Sequence, residues 1–256
     1  LRPNLAFISR KVKTGQGSTK RKHADTMNFR YRIEHSTTLA WVLSGIVGTY
    51  LSIVEKTTRW QVQGEDDLRA ALAEGPVVIV MWHTRSLMGA SHWPKGVGTL
   101  SSLYAASPIG RVSGALQRRC GLQPIEMADN TSNIAASRVV LGRAKAGISI
   151  GLTGDGPLGP ALELKDAPLE WARSTRLPVF AYAFSSNKAR TLDTWDDMMM
   201  PLPFGRGAKV YLRLSEPLTR KPDAATASNQ RASLASLLSQ AIEEADTLAG
   251  VTPDDP

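Results

Sequence analysis

Cysteine is nearly absent. Cys120 stands alone in 256 residues, which excludes an internal disulfide framework and any cysteine-cluster metal site and fits a reducing compartment. Several signatures are missing too. The chain has no G-x-x-x-x-G-K-[ST] phosphate loop and no H-E-x-x-H, and it is read as lacking a G-x-S-x-G elbow. Those absences argue against nucleoside triphosphatases, zinc proteases and elbow-type serine hydrolases. Gly (21) and Pro (15) are too few and scattered for a fibrous chain, and 42% hydrophobic with 21% charged residues excludes wholesale disorder. The length suits a single α/β-sized domain, or at most two small ones, with ample core.

What the chain does have is a charge of +8, unevenly placed. Nine basic side chains and two acidic ones fall within residues 1–35, while the remaining 221 residues carry 22 basic and 21 acidic groups. The body is therefore close to neutral. Up to residue 26 the segment is polar and without apolar period, so it cannot bury enough surface to offset ordering entropy. Because the chain opens on Leu1 and Met27 offers a conventional start, residues 1–26 are expected to be a disordered basic arm or a wrongly assigned extension. A functional arm would bind anionic lipid or nucleic acid. Nucleic-acid binding by the body would need a basic patch interleaved with aromatics, and none is visible in the sequence.

Ser36–Val54 holds 19 uncharged residues, preceded by Arg30 and Arg32 and followed by Glu55, Lys56 and Arg59. The run just reaches membrane-spanning length, but serines, threonines and glycines dilute it. A signal peptide fits poorly, because its apolar core would be shorter and end in small residues. A spanning anchor, a helix at the bilayer surface and a soluble core helix remain. Ser44, Gly45, Gly48 and Ser52 mark a small-residue face suited to close helix packing. Residues 27–57 are read as a membrane-associated helix, shallow or lying on the surface.

From residue 58 to 256 the chain alternates apolar runs with helical stretches. Val77–Trp82, Thr99–Ala105, Ile148–Thr153, Pro178–Phe184 and Ala208–Leu214 read as strands. Helices are expected at Glu65–Ala73, from a cap at Asn130-Thr131 to Lys145, at Pro168–Thr175 and over about 226–248, the last amphipathic. The pattern predicts an α/β domain with a mostly parallel or mixed sheet flanked by helices, an apolar N-terminal helix and an amphipathic C-terminal one.

In such a domain ligands gather beyond the carboxyl ends of strands. Two segments stand there. His83 follows the first predicted strand, where a neutral-range imidazole suits a general base. Gly154-Asp155-Gly156-Pro157-Leu158-Gly159-Pro160 follows another, a tight turn whose backbone N–H groups could cradle an anion and whose Asp155 could bind a hydroxyl or orient His83. Each also has a bland reading, as a hydrogen-bonded histidine and as a simple turn. A third segment, Trp195-Asp196 through Pro201-Leu202-Pro203-Phe204, reads as an aromatic, methionine-rich loop that packs in the core or walls an apolar groove.

Taken together in this order, these segments resemble the domain-of-unknown-function-374 branch of the lysophospholipid acyltransferase superfamily over about residues 55–220. The resemblance implies acyl transfer from acyl-CoA or acyl-carrier protein to a lipid hydroxyl at the membrane surface, with no metal or redox cofactor, and Arg30 and Arg32 beside the apolar helix are the flank expected on the cytoplasmic face of a bacterial inner membrane. It implies His83 as the base of an H-x4-D motif and Gly154-Asp155-Gly156 as the acceptor-holding acidic motif. Asp155 is the expected partner of His83, and Arg85, Arg111, Pro157 and Gly159 complete the expected substrate-binding set. Some positions depart from the pattern. Met88 stands where H-x4-D has its carboxylate, and Leu158 where relatives carry an arginine. Ser107-Pro108-Ile109-Gly110 and Glu126-Met127-Ala128-Asp129 replace other phosphate-binding segments, leaving Arg85, Arg111 and Arg138 as positive charge. A catalytically degenerate lipid-binding protein of the same fold is the alternative reading.

Overall fold

The computed structural model describes residues 36–127 and 133–251. The basic arm at 1–26, Arg30, Arg32 and the expected cap at Asn130-Thr131 lie outside these residues. Seven strands form one sheet. They are β1 (Arg59–Gln63), β2 (Val78–Met81), β3 (Leu100–Ala105), β4 (Ile125–Met127), β5 (Ser149–Thr153), β6 (Val179–Ser186) and β9 (Arg206–Arg213), ordered β1-β9-β6-β2-β5-β3-β4. Only the β6–β9 pair is antiparallel. A separate hairpin pairs β7 (Ala189–Thr191) with β8 (Met199–Pro201).

Period-two alternation divides the core into two layers. Along β2, Val78 and Val80 face one side while Ile79 and Met81 face the other. On β6, Ala181 and Ala183 face the side covered by α7 (Ala224–Ala249), which presents Ala241, Ala245 and Ala249. Small residues on both surfaces let this long helix approach the sheet. The opposite side of β6 carries Phe180, Tyr182 and Phe184, which fill the space beneath the N-terminal helices. Each such buried aromatic stabilises the fold by about 1.5–3 kcal/mol. Helices α5 (Asn133–Lys145) and α6 (Asp166–Thr175) lie on the α7 side. The other side holds α1 (Thr37–Thr57), α2 (Glu65–Glu74), α3 (Gly89–His92) and α4 (Pro108–Arg119).

Helix α1 begins at Ser36, whose hydroxyl accepts the Leu39 N–H, a standard N-cap. Its small-residue face packs on α4. Arg119 donates to the Ser44 hydroxyl at 3.0 Å and to the Trp41 carbonyl at 2.9 Å, and Leu116 lies against Gly48. Ser52, expected on that face, is exposed instead. The opposite side leaves Leu39, Val42, Leu43, Ile46 and Ile53 exposed, while Trp41, also partly exposed, carries the Arg119 guanidinium 3.9 Å over its ring. By length and composition α1 is able to cross a membrane.

Four elements were not expected: β1, β4, α4 and the hairpin. β1 is a polar edge strand and β4 has three residues, whereas α4 carries Ile109, Val112 and Leu116 at helical spacing behind a Ser107 cap with Pro108 in its first turn, a signal the turn-like spelling Ser-Pro-Ile-Gly obscured.

A buried polar network fastens α1 to the sheet. His92 on α3 bonds the Tyr182 hydroxyl at 2.6 Å through Nδ1 and Glu55 at 2.9 Å through Nε2. Lys209 of β9 reaches the other Glu55 oxygen at 2.6 Å, and Tyr211 donates to the His92 carbonyl at 2.7 Å. Burial would raise the Glu55 carboxyl, but hydrogen bonds and charge from His92 and Lys209 outweigh it, so it sits below the carboxylate range. Burial, only partly offset by the hydrogen bond to Glu55, pushes His92 down to about 4. An unfolded chain takes up that proton near pH 6.5. Stability from neutral His92 is therefore complete above pH 6.5 and lost as pH falls toward 4, by at most about 3 kcal/mol. Thermal melts across this range should show the decline in the native chain. A His92→Gln variant should be less stable at pH 7 and should lack the decline between pH 6.5 and 4.

Candidate functional site

Strands β2 and β5 are parallel neighbours, paired Val78 with Ile150, Val80 with Leu152 and Met81 with Thr153. Continued two residues past both strand ends, that register sets His83 opposite Asp155. Both side chains therefore emerge at the carboxyl edge of the sheet, next to β6 on the other side of β2. His83 starts a single 3-10 turn, His83–Arg85, and Asp155 lies in a turn closed by Gly156 N–H donating to the Thr153 carbonyl at 3.3 Å.

The pair is in direct contact. His83 Nδ1 lies 2.8 Å from Asp155 Oδ1, and the His83 backbone N–H is 3.2 Å from both carboxylate oxygens. Leu162 N–H reaches Asp155 Oδ2 at 3.4 Å. Asp155 is fully buried, whereas the His83 side chain is 21% exposed. An ionised carboxylate only accepts hydrogen bonds, so Asp155 holds the proton of a neutral imidazole on Nδ1. Nε2 has no protein partner among the described residues, leaving it a free acceptor that faces outward. Met88, which stands at the motif's carboxylate position, is wholly buried in the apolar layer. The carboxylate comes from the neighbouring strand instead.

Other expected site residues are placed differently. Arg85 is mostly buried, with its Nη2 at 3.0 and 3.1 Å from the Asp246 carboxylate of α7, which also accepts the Ser185 hydroxyl at 2.5 Å. Burial lowers the Arg85 pKa and Asp246 opposes that shift. The guanidinium clamps the His83 turn to β6 and α7 rather than opening to a ligand. Arg111 pairs with Glu126 at 3.1 Å, at the level of β3 and β4, and Arg138 is exposed on α5. Gly154 N–H donates to the Met81 carbonyl at 2.8 Å. With the Gly156 amide also engaged, these two donors are not turned toward an anion. Pro157 is exposed at the tip of the turn.

Apolar side chains rim the pair. Trp195 packs edge-on against the His83 ring, centroids 5.1 Å apart, and remains partly exposed. Leu158 is 91% exposed and Leu162 is also exposed, both on the Asp155 turn. Thr84 donates to the Asp197 carbonyl at 3.0 Å, tying the Trp195 loop to the His83 turn. Asp246 carried no sequence signal, because it lies among polar residues on the last helix. Gly147-Ile148-Ser149-Ile150-Gly151 has the spelling of a G-x-S-x-G motif. However, Ser149 opens β5 at the far end of the strand, buried, with its hydroxyl accepting the Val77 N–H at 3.1 Å. It does not serve as a nucleophile for His83. Among the described residues there is also no group of three or more potential metal ligands.

No family model matches the chain. A similar protein, the uncharacterized protein RP090 of Rickettsia prowazekii, is 25% identical over 175 residues, which span 68% of this chain and 80% of that protein.

Gly159 has φ +63°, and a Cβ there would come within 2.5 Å of the Trp195 ring. Gly159→Ala should therefore cost about 1–3 kcal/mol and push Trp195 off His83. Chemical denaturation and near-ultraviolet circular dichroism would register both effects. An unchanged aromatic spectrum would contradict the packing described.

Proposed function

We propose that the protein is a membrane-surface acyltransferase that moves an acyl chain from a thioester carrier, acyl-CoA or acyl-carrier protein, to a lipid hydroxyl. The observation that carries the reading is the His83–Asp155 pair with Nε2 free at the sheet's carboxyl edge. A base oriented by a carboxylate, with no protein nucleophile attached, suits a reaction in which the substrate brings the nucleophile. His83 Nε2 takes the proton of the acceptor hydroxyl as that oxygen attacks the thioester carbonyl. The new ester C–O bond forms, the C–S bond breaks, and the proton passes from His83 to the departing thiolate. Asp155 stays ionised and stabilises the imidazolium that forms in between.

The surroundings favour a lipid substrate. Leu158, Leu162 and Trp195 give the site an apolar rim, and α1 exposes six large apolar side chains. The α1 side chains are 37–63% exposed, so burying the open part in a bilayer interface yields roughly 1 kcal/mol each, about half the value for a whole side chain, and together this favours attachment to a membrane. Helix α1 is packed along the body, so its exposed side is better placed to lie in the interface than to span. Because both donors are cytoplasmic thioesters, the surface in this reading is the cytoplasmic face of a bacterial inner membrane. The intact dyad favours catalysis over lipid binding without turnover.

Full-length protein incubated with labelled acyl-CoA or acyl-carrier protein and a panel of lysolipids should show transfer, reduced about 100-fold or more by His83→Ala. Transfer no greater than that of the His83→Ala control across the panel would contradict the reading. Saturable lipid binding without transfer would favour the non-catalytic alternative.

A further inference from the structure

Three positive side chains converge where α1 ends. Arg59, Lys188 and Arg206, with Thr57, Asn187 and Phe204, line a pocket of about 310 Å³. The strand register forces two of them together. β1 and β9 run parallel with Arg59 opposite Arg206, so two guanidinium groups leave the same side of the sheet next to each other. Like charges placed directly opposite destabilise a sheet. Among the described residues no carboxylate pairs with any of the three. Arg206 lies beside Gly250 at the carboxyl end of α7, whose dipole offsets part of one charge only. The arrangement is stabilised when an anion sits between the cations.

The backbone around the pocket is fixed in advance. Asn187 Oδ1 accepts the Arg206 N–H at 2.8 Å, and Asn187 N–H donates to the Arg206 carbonyl at 2.9 Å. The Asn187 NH2 group remains as a further donor. Ser186 Oγ donates to the Lys188 carbonyl at 3.0 Å and accepts its N–H at 3.3 Å. A Cβ on Gly205 would approach Ser186, Asn187 and Lys188 to 3.1–3.3 Å, so glycine lets the two turns close on each other.

The pocket wall identifies what carries the anion. Phe204 is 72% exposed with φ +63°, and its N–H donates to the Thr57 hydroxyl at 3.3 Å. An aromatic residue held in left-handed backbone and turned to solvent is uncommon and points to use. Thr57 is also the last residue of α1, whose exposed apolar side leads to the same spot. A ligand with a phosphate for the cations and hydrocarbon for Phe204 and α1 fits both. The pocket opens on the same sheet edge as His83, because β6 ends and β9 and β1 begin there. At the usual spacing between strands, β9 and β1 lie roughly 10–15 Å from β2.

We propose that Arg59, Lys188 and Arg206 form a binding site for the phosphate of an anionic glycerophospholipid, seating this edge of the sheet on the bilayer. The site needs no acyl transfer, and its readout is binding alone, so its failure is separate from failure of the catalytic reading. Isothermal titration of the full-length protein in neutral detergent would compare dihexanoyl phosphatidic acid, dihexanoyl phosphatidylcholine and inorganic phosphate. The phosphatidic acid should saturate and bind at least about tenfold more tightly than the other two. Arg59→Ala or Lys188→Ala should weaken it about tenfold, Arg59→Lys should largely retain it, and Lys145→Ala should change nothing. Phe204→Ser should weaken the lipid but not inorganic phosphate. Relieving like-charge contact, the alanine variants should melt no lower than the native chain. Undiminished binding in an Arg59→Ala/Lys188→Ala double variant, inorganic phosphate as tight as the lipid, or loss of folding in the single variants would overturn the proposal.

Discussion

The parallel register of β2 and β5 is the constraint on which the candidate site depends. A constant offset of 72 residues runs from Val78 and Ile150 to Met81 and Thr153, and continues past the strand ends to His83 and Asp155. A shift by one residue would turn His83 or Asp155 to the opposite face and break their contact. The register is in turn specified by burial on both faces, since every residue of β2 is buried and Ser149 fixes Val77 at the strand's start. The core thus positions the imidazole, and the carboxylate fixes which of its nitrogens faces outward.

A second fastening fixes α1 against the sheet. The Glu55–His92–Tyr182–Lys209 network joins the end of α1 to the middle of the sheet, and Arg119 joins its start to α4. Held at both ends, α1 keeps its apolar side turned away from the body. Phe204, Leu158 and Trp195 are exposed on loops at the sheet's carboxyl edge. Exposed apolar groups and cations that no carboxylate pairs among the described residues thus stand along the same edge as the carboxylate-oriented histidine, and the proposed amphipathic ligand rests on that arrangement.

Much of this was readable in the sequence, and for a physical reason. Strands buried on both faces appear as short apolar runs, so Val77–Trp82 and Ile148–Thr153 gave β2 and β5 within a residue, and His83 and Asp155 fell just past their ends. The stripe Leu234, Leu238, Ala241, Ala245 gave α7 because one face of it is wholly buried. Ser44 and Gly48 marked helix packing correctly, while Ser52 did not. β1 was invisible because it is polar and exposed at an edge, while α4, with Ile109, Val112 and Leu116 at helical spacing, was hidden because its Ser107-Pro108 start reads equally as a turn. Arg85 and Arg111 were read as open charges because their partners, Asp246 and Glu126, are 161 and 15 residues away. The His92 network unites positions 55, 92, 182 and 209, and no local pattern foretells it.

The most direct test of the account is nitrogen nuclear magnetic resonance of histidine-labelled protein, reading the protonation of each ring nitrogen of neutral His83. A proton on Nδ1 and an unprotonated Nε2 are expected in the native chain, with that preference lost in Asp155→Ala. A native His83 carrying its proton on Nε2 would leave no base facing the site and would contradict the account.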